Sequence, residues 1–331
     1  WLRDKSSKIM KTKIFCMMVL CAGLLVGCDK EEEYEPIKPP IEEPDEPITT
    51  PSTDDIIKTK IGDIDMIVGS NIWRCITYGN GKYVAGNNQG QITTSTDGKT
   101  WATPKTIPNI KVFSDIVYDN SKFVAVSYFG ASKGQGYITT STDGVNWTTT
   151  KVVGDGFGWN GVTYGDGKFV AVGSGGYIAT SIDGVNWTTT TPYNVSWRGV
   201  IYAASMFVAA CNDAYIAYST DGVTWTINQY SKDSWQRIAY GNGKFVVLGT
   251  NGYSMTSTDG KSWTTPVRFA EFLSGRTWQD IIFANGKFIA VAGLGYISTS
   301  TDGINWTTPE QIKDESGKVV TATLNGVCAM P

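Results

Sequence analysis

The sequence repeats one short text six times, and this limits the folds open to it more than any other property. Its clearest copy is Ser181-Ile182-Asp183-Gly184-Val185-Asn186-Trp187, and variants occupy 95–101, 141–147, 219–225, 257–263 and 300–306. An aromatic residue precedes each copy at a fixed distance. It is 28 positions from Trp73 to Trp101, Trp159 to Trp187, Trp197 to Trp225, Trp235 to Trp263 and Trp278 to Trp306, and six more from Phe113 to Trp147. A unit recurring about every 40 residues is one supersecondary element, too small to bury its own apolar surface, so the copies must stack.

Within the third copy the strands follow from the alternation. Residues 159–164 alternate, with Val162 and Tyr164 on one face, and Gly165-Asp166-Gly167 turns the chain. Residues 168–172 are apolar and β-branched, 173–176 turn again, 177–181 form a third strand, and Asp183-Gly184 leads into a fourth at 186–190. Short antiparallel strands joined by Gly-bearing turns make a meander. Such a sheet covers both faces only by packing on the next copy, and a closed ring leaves little exposed edge. The expected fold is therefore all-β, a β-propeller with blades starting near 73, 113, 159, 197, 235 and 278; a solenoid of stacked hairpins is the competing geometry. Leu324-Asn325-Gly326-Val327-Cys328-Ala329-Met330 matches the opening of a further copy, with Leu in the aromatic slot, but Pro331 ends the sequence. This reads as six complete repeats plus a partial seventh within 61–331. Residues 61–68 are then a candidate outer strand to close the ring, and a gene fragment lacking its last strands fits equally.

The repeated text resembles the Asp-box (BNR) repeat of sialidase-like propellers. It departs from that pattern in having Gly directly after Asp, where the family usually has one residue between them. The resemblance covers most of 73–306 and implies a structural box on the hairpin between third and fourth strands, with Asp97, Asp143, Asp183, Asp221, Asp259 and Asp302 as turn acceptors. It also places Trp101, Trp147, Trp187, Trp225, Trp263 and Trp306 as rings tucked under those turns. The physical chemistry agrees: Asp accepts from nearby backbone N–H groups, Gly supplies φ > 0, and the indole covers the turn. One Asp per blade cannot converge on a calcium ion. Eleven of the twelve Trp belong to the repeat and are expected in the core.

The N-terminus reads differently. Residues 1–9 precede Met10, the expected start; Lys11 and Lys13 form a basic region, 14–26 an apolar one, and Leu25-Val26-Gly27-Cys28 ends it. The apolar run is short for a membrane span and ends in small residues, as signal peptides do. Its ending resembles the lipobox of bacterial lipoproteins, which implies cleavage before Cys28 and acylation there, each buried methylene adding about 0.8 kcal/mol of membrane affinity. Asp29-Lys30-Glu31-Glu32-Glu33 looks like the acidic tag that exports lipoproteins to the cell surface in one group of Gram-negative bacteria, or is simply the start of an acidic tether. Residues 29–55 hold eleven Asp/Glu, two Lys and six of the twelve prolines, a composition that stays extended and solvated. The tether is drawn at 29–60 and the protein is expected to be an outer-membrane lipoprotein exposed at the surface.

Composition narrows the chemistry. The 331 residues contain no histidine, which removes His-based acid–base catalysis, triads and His metal sites. Residues 56–331 carry 21 basic and 19 acidic residues, without a nucleic-acid footprint. Cys75, Cys211 and Cys328 lack metal spacing and read as small buried residues, two of which an exported protein can pair. No cofactor or metal is expected, and the propeller is expected to be monomeric.

Candidate site residues come from positions where the repeat varies. The slot after the opening aromatic reads Arg74, Ser114, Asn160, Arg198, Gln236, Gln279 and Asn325; the next reads Cys75, Asp115, Gly161, Gly199, Arg237, Asp280 and Gly326. First strands surround the channel of a propeller, so Arg74, Asp115, Asn160, Arg198, Gln236, Arg237, Gln279 and Asp280 are candidates to hold an anionic or polyhydroxylated ligand. These groups can equally satisfy one another. The insertion at 127–136 adds Tyr128 and Phe129, and Tyr193, Tyr230, Phe269 and Phe272 lie between blades. Three functions follow: a non-enzymatic binding propeller recognising a glycan or protein; a sialidase-like hydrolase using Arg74, Arg198 and Arg237 with Asp115 or Asp280 as acid; or a scaffold subunit of an envelope complex. The family's Phe-Arg-Ile-Pro motif is replaced by Trp73-Arg74-Cys75-Ile76, which weighs against the hydrolase.

Overall fold

The computed structural model describes residues 52–61, 64–130, 135–151, 157–230, 233–269 and 277–330. The expected lipidation site Cys28, residues 29–51 of the tether and Phe272 lie outside them.

The chain forms seven antiparallel sheets, each from strands that are neighbours in the ring. The third blade shows the plan: Trp159–Gly165 innermost, then Lys168–Gly173, Ile178–Ser181 and Thr188–Thr190. The first hairpin of most blades turns on two residues of positive φ, such as Asn80 (47°) and Gly81 (73°), the mirror-image turn whose twist suits a hairpin. The fourth strand shrinks to two residues in blades one, five and six: Lys105–Thr106, Val267–Arg268 and Glu310–Gln311. In each of these a proline follows the box (Pro104, Pro266, Pro309) and removes a ladder donor.

Seven blades replace the expected six complete repeats plus a partial seventh. Leu324–Ala329 is the inner strand of a finished three-stranded sheet whose middle strand is Ile64–Ser70 and whose outer strand is Ile56–Ile61. Met66 pairs with Ala329 and Val68 with Val327, so strands from the two ends of the propeller sequence meet in one blade. Residues 61–68 thus do not form an outer strand: the N-terminal segment supplies two strands, and 64–70 bonds directly to the C-terminal one. Neither strand carries a box or an opening Trp, so a ruler built on those marks passes over them. Ile56–Ile61 also falls in the last residues of the acidic stretch read as tether, which hid its β-branched pattern.

Seven apolar clusters fill the seven interfaces between blades. Ile289, Val291 and Ile297 of blade six pack on Met66, Val68, Leu324 and Val327 of blade seven. Ile56 and Ile67 of blade seven pack on Trp73 and Tyr83 of blade one, which closes the circle. The opening residues Trp73, Phe113, Trp159, Trp197, Trp235, Trp278 and Leu324 are all buried, as expected of core. Phe269 stacks between Trp278 and Trp306, at centroid distances of 5.2 and 4.6 Å, rather than standing at a rim. Cys75 and Cys211 are buried, Cys328 is half-buried, and all three are free thiols.

The boxes are fasteners at one end of the ring. In blade three Asp183 Oδ1 accepts from Ser181 Oγ at 2.9 Å and from the backbone N–H groups of Val185 and Asn186 at 2.8 Å. Asn186 Nδ2 donates to Oδ2 at 2.8 Å, and Trp187 Nε1 donates to the Gly184 carbonyl at 3.0 Å. The Ser–Asp bond and both backbone bonds recur in the other five copies. Lysines then join blades: Lys82 Nζ donates to the Asp143 carbonyl at 2.8 Å and Lys168 Nζ to that of Asp221 at 3.0 Å, each reaching the next blade's box.

Two substitutions test these points. Leu324 is fully buried at the closing seam, so Leu324→Ala is expected to cost about 2–5 kcal/mol of stability in chemical denaturation. Blades two and four turn their first hairpins on two residues that both carry a Cβ at positive φ, Asn120 and Ser121 (46° and 57°) and Ala204 and Ser205 (49° and 58°). Ser205→Gly is expected to raise stability by about 0.5–1 kcal/mol, measured the same way.

Candidate functional site

Each inner strand begins at the end of the ring opposite the boxes, because the box follows the third strand and alternate strands run antiparallel. At that end every inner strand carries a β-bulge. The pairing skips one residue between Trp73 and Cys75, Phe113 and Asp115, Trp159 and Gly161, Trp197 and Gly199, Trp235 and Arg237, and Trp278 and Asp280. In blade seven the skip leaves Asn325 unpaired between Leu324 and Gly326. The skipped positions are the polar slot read from sequence. A bulge frees one residue from the ladder and re-aims its side chain, here toward the channel mouth in all seven blades.

The result is a pocket of about 470 Å³ lined by Arg74, Asn88, Val112, Phe113, Ser114, Tyr128, Asn160, Arg198, Gln236, Arg237, Gln279 and Asn325. It gathers Arg74, Asn160, Arg198, Gln236, Arg237, Gln279 and Tyr128 from the expected set. The backbone of Phe129 lies in the strand Lys122–Gly130, and its side chain is outside the described residues. Asn88 and Val112 were not expected. They stand in the turn and connection beside the slot, where no repeat position marks them.

The amides of the mouth are oriented by the protein. Asn160 Nδ2 donates to the Trp197 carbonyl at 2.7 Å, Gln236 Nε2 to Asn212 Oδ1 at 3.0 Å, Gln279 Nε2 to Thr277 Oγ1 at 2.6 Å and Asn325 Nδ2 to the Asn71 carbonyl at 2.8 Å. Each of these side chains thus commits an N–H to a partner within the protein. Arg198 spends Nε on Asn212 Oδ1 at 3.0 Å, and Arg74 Nη1 lies 3.5 Å from Asn325 Oδ1. Desolvation in this crowded ring lowers the pKa of Arg198. The mouth therefore presents guanidinium groups interleaved with amide side chains.

Asp115 and Asp280 are not part of that surface. They line a second cavity of about 200 Å³ together with Arg237, which borders both spaces. Each acts as a clasp between blades: Asp115 accepts from its neighbour Ile116 N at 2.8 Å and from Val162 N of blade three at 2.9 Å. Asp280 accepts from Ile281 N at 2.9 Å and from Val327 N of blade seven at 3.0 Å, with Arg237 Nε 3.8 Å away. The Asp280 side chain exposes a quarter of its surface, yet it lines this small cavity, where the surrounding protein strips it of solvent. Desolvation accordingly raises Asp115 to about 6 against the pull of Arg237, and raises Asp280 as well.

No protein-family model matches the sequence, and neither does any curated protein. Solved structures do resemble the fold. A structure described as YCF48 bound to D1 peptide is 14% identical, with a TM-score of 0.59 over 85% of this chain and 98% of that one. YCF48 from Cyanidioschyzon merolae is 15% identical (TM-score 0.56, 82% and 97% covered). Virginiamycin B lyase from Staphylococcus aureus is 12% identical (TM-score 0.64, 78% and 88% covered). At these identities the likeness establishes a β-propeller and nothing finer.

The two kinds of aspartate act oppositely on stability. In the boxes hydrogen bonds favour the charged form and pull the acids down, to about 2 at Asp221 and Asp259. At Asp302 burial is the largest single influence and opposes this, but the hydrogen bonds together outweigh it. Their contribution is present above the ordinary carboxylate value and lost as pH falls below about 4. Asp115 is raised in the folded state, so its contribution is full below about 4 and lost as pH rises through 6. These groups place maximal stability between about pH 4 and 5, and Asp115→Asn is expected to flatten the decline from pH 4.5 to 6.5 in calorimetric melting.

Proposed function

We propose that the chain is a non-enzymatic binding propeller that captures a ligand through an anionic group held in the ring mouth. The observation carrying this reading is the pocket at the bulged end of the ring, where Arg74 and Arg198 stand in the slots freed by the bulges and Arg237, in the next position, borders the same space. Charge-assisted bonds from a guanidinium to a carboxylate are about twice as strong as neutral ones and favour planar anions. A protein ligand is supported by the neighbour that was solved with a peptide; an acidic glycan is the alternative. The sialidase-like reading draws on the same three arginines and on the variant Asp-box. It is weakened because Asp115 and Asp280, its acids, lie below the mouth with their oxygens on backbone N–H groups. A scaffold role would show as a stoichiometric partner on purification.

We place the protein at the outer membrane and read it as a lipoprotein, held by acylated Cys28 and carried away from the bilayer by the acidic, proline-rich segment. The mouth would then face molecules outside the cell.

Calorimetric titration of the full chain with carboxylate-bearing peptides and oligosaccharides tests the site. Arg74→Gln and Arg198→Gln are each expected to weaken binding about tenfold, the equivalent of about 1.4 kcal/mol. Equal affinity for a carboxylate probe and its amide counterpart would remove the reading.

A further inference from the structure

The cavity below the mouth holds two carboxyl groups and one guanidinium. Asp115, Asp280 and Arg237 share its space of about 200 Å³, and Ile76, Val200, Ile238, Ile282 and Val327 supply apolar wall. Two ionised carboxylates opposite a single guanidinium leave an unbalanced negative charge among apolar groups, which favours keeping a proton on the pair. Burial raises Asp115 to about 6 against the attraction of Arg237, and the charge of Asp280 adds to the rise. Asp280 is raised by burial too, again against Arg237.

The other titratable groups around the cavity do not change charge near neutrality. On blade one the Cys75 thiol is raised far above its ordinary value, by burial first and by the charge of Asp115 next. On blade seven Cys328 is pushed up to about 12, by burial first and by the charge of Asp280 next. Blade three offers Asp115 the N–H of Val162, and blade four places Arg198 in the slot above.

Arg237 carries the state of these acids to the mouth, because it lines both spaces. Its Nε lies 3.8 Å from Asp280 Oδ1, and its Nη1 donates to the Arg198 carbonyl at 2.9 Å. Nη2 has no protein partner among the described residues. A negative charge in the cavity offsets part of the positive charge that the mouth presents, and a proton there removes the offset. The path between them runs through protein, where charges act more strongly than across water.

We propose that the mouth takes up its anion together with a proton, the anion among Arg74, Arg198 and Arg237 and the proton on Asp115 and Asp280 beneath, so that binding tightens as the medium turns acidic. This rests on the mouth being an anion site and adds how that site is regulated. The sign follows from linkage. An anion beside Arg237 favours the protonated form of the carboxyls, and protonated carboxyls leave Arg237 uncompensated for the anion. Affinity is therefore full below the Asp115 value of about 6 and declines as pH rises above it. A glutamate ligand stays largely ionised down to about pH 5, so the tightening belongs to the protein.

Fluorescence polarisation of the full chain tests it, with labelled Gly-Ser-Glu-Ser-Gly and its glutamine form followed from about pH 5.5 to about pH 7.5. The expected result is binding of the glutamate peptide on the order of fivefold tighter at the acid end. Calorimetry in two cationic buffers of different ionisation heat, bis-Tris and imidazole, is expected to show net proton uptake on binding. An Asp115→Asn/Asp280→Asn double variant is expected to bind the glutamate peptide with a flat pH profile, at the affinity the unmodified protein reaches at the acid end. Proton uptake is measured on the unmodified protein, so it decides the matter alone where the double variant does not fold. A preference for glutamate over glutamine with a flat profile and no proton uptake would overturn the coupling and leave the mouth standing. Absence of that preference would overturn both. A pH profile that the double variant keeps would assign the proton to another group and end the proposal.

Discussion

Everything in this molecule depends on the apolar faces of thin sheets being covered by other thin sheets. A blade of three or four short strands has a row of β-branched side chains on each face and no interior of its own. Val170 and Val172 of blade three are fully buried only because Trp197 and Phe207 of blade four lie over them. The same need passes from blade to blade until the circle closes, and it explains why the seventh blade exists at all. Without Met66, Val68 and Leu324, the apolar side of blade six would face water. The boxes and the lysines that cross to them hold the far end of this arrangement with hydrogen bonds, and in doing so leave the other end free to vary.

That division of labour decides where function can sit. At the box end the side chains repeat because each must make the same turn. At the mouth the bulge takes one residue per blade out of the ladder, so its identity is released from the demands of pairing and packing. Arg74, Ser114, Asn160, Arg198, Gln236, Gln279 and Asn325 differ among themselves for this reason. The next position is less free, since it points at the neighbouring blade. Gly161 and Gly199 let backbones approach, while Asp115 and Asp280 span the same gap with a carboxylate.

Much of this was legible in the sequence. The ruler between aromatic and box Trp marked the six boxed blades, and the alternation of polar and β-branched slots marked the channel residues. Two things were not legible. The bulges change no residue type, so their aiming of the slot toward one pocket is visible only in the pairing. Asp115 and Asp280 looked like acids for chemistry because a sequence does not show the backbone N–H groups opposite them. The strands of blade seven escaped for a simpler reason, having neither of the marks by which the others were counted.

The pairing of residues 66–70 with 324–329 in one blade also governs the order of events in folding. Met66 pairs with Ala329, so the seam waits until residues 324–329 have been made. Loop closure over nearly the whole length of the domain is a slow, entropically costly step that local hairpins do not share. Until it happens, the side of blade six bearing Ile289 and Val291 and the side of blade one bearing Trp73 remain uncovered. A chain in that condition is a target for association with other chains. Once closed, the ring has no free end from which a blade can peel. Its lifetime is then set by the barrier to reopening one seam, more than by the sum of its contacts.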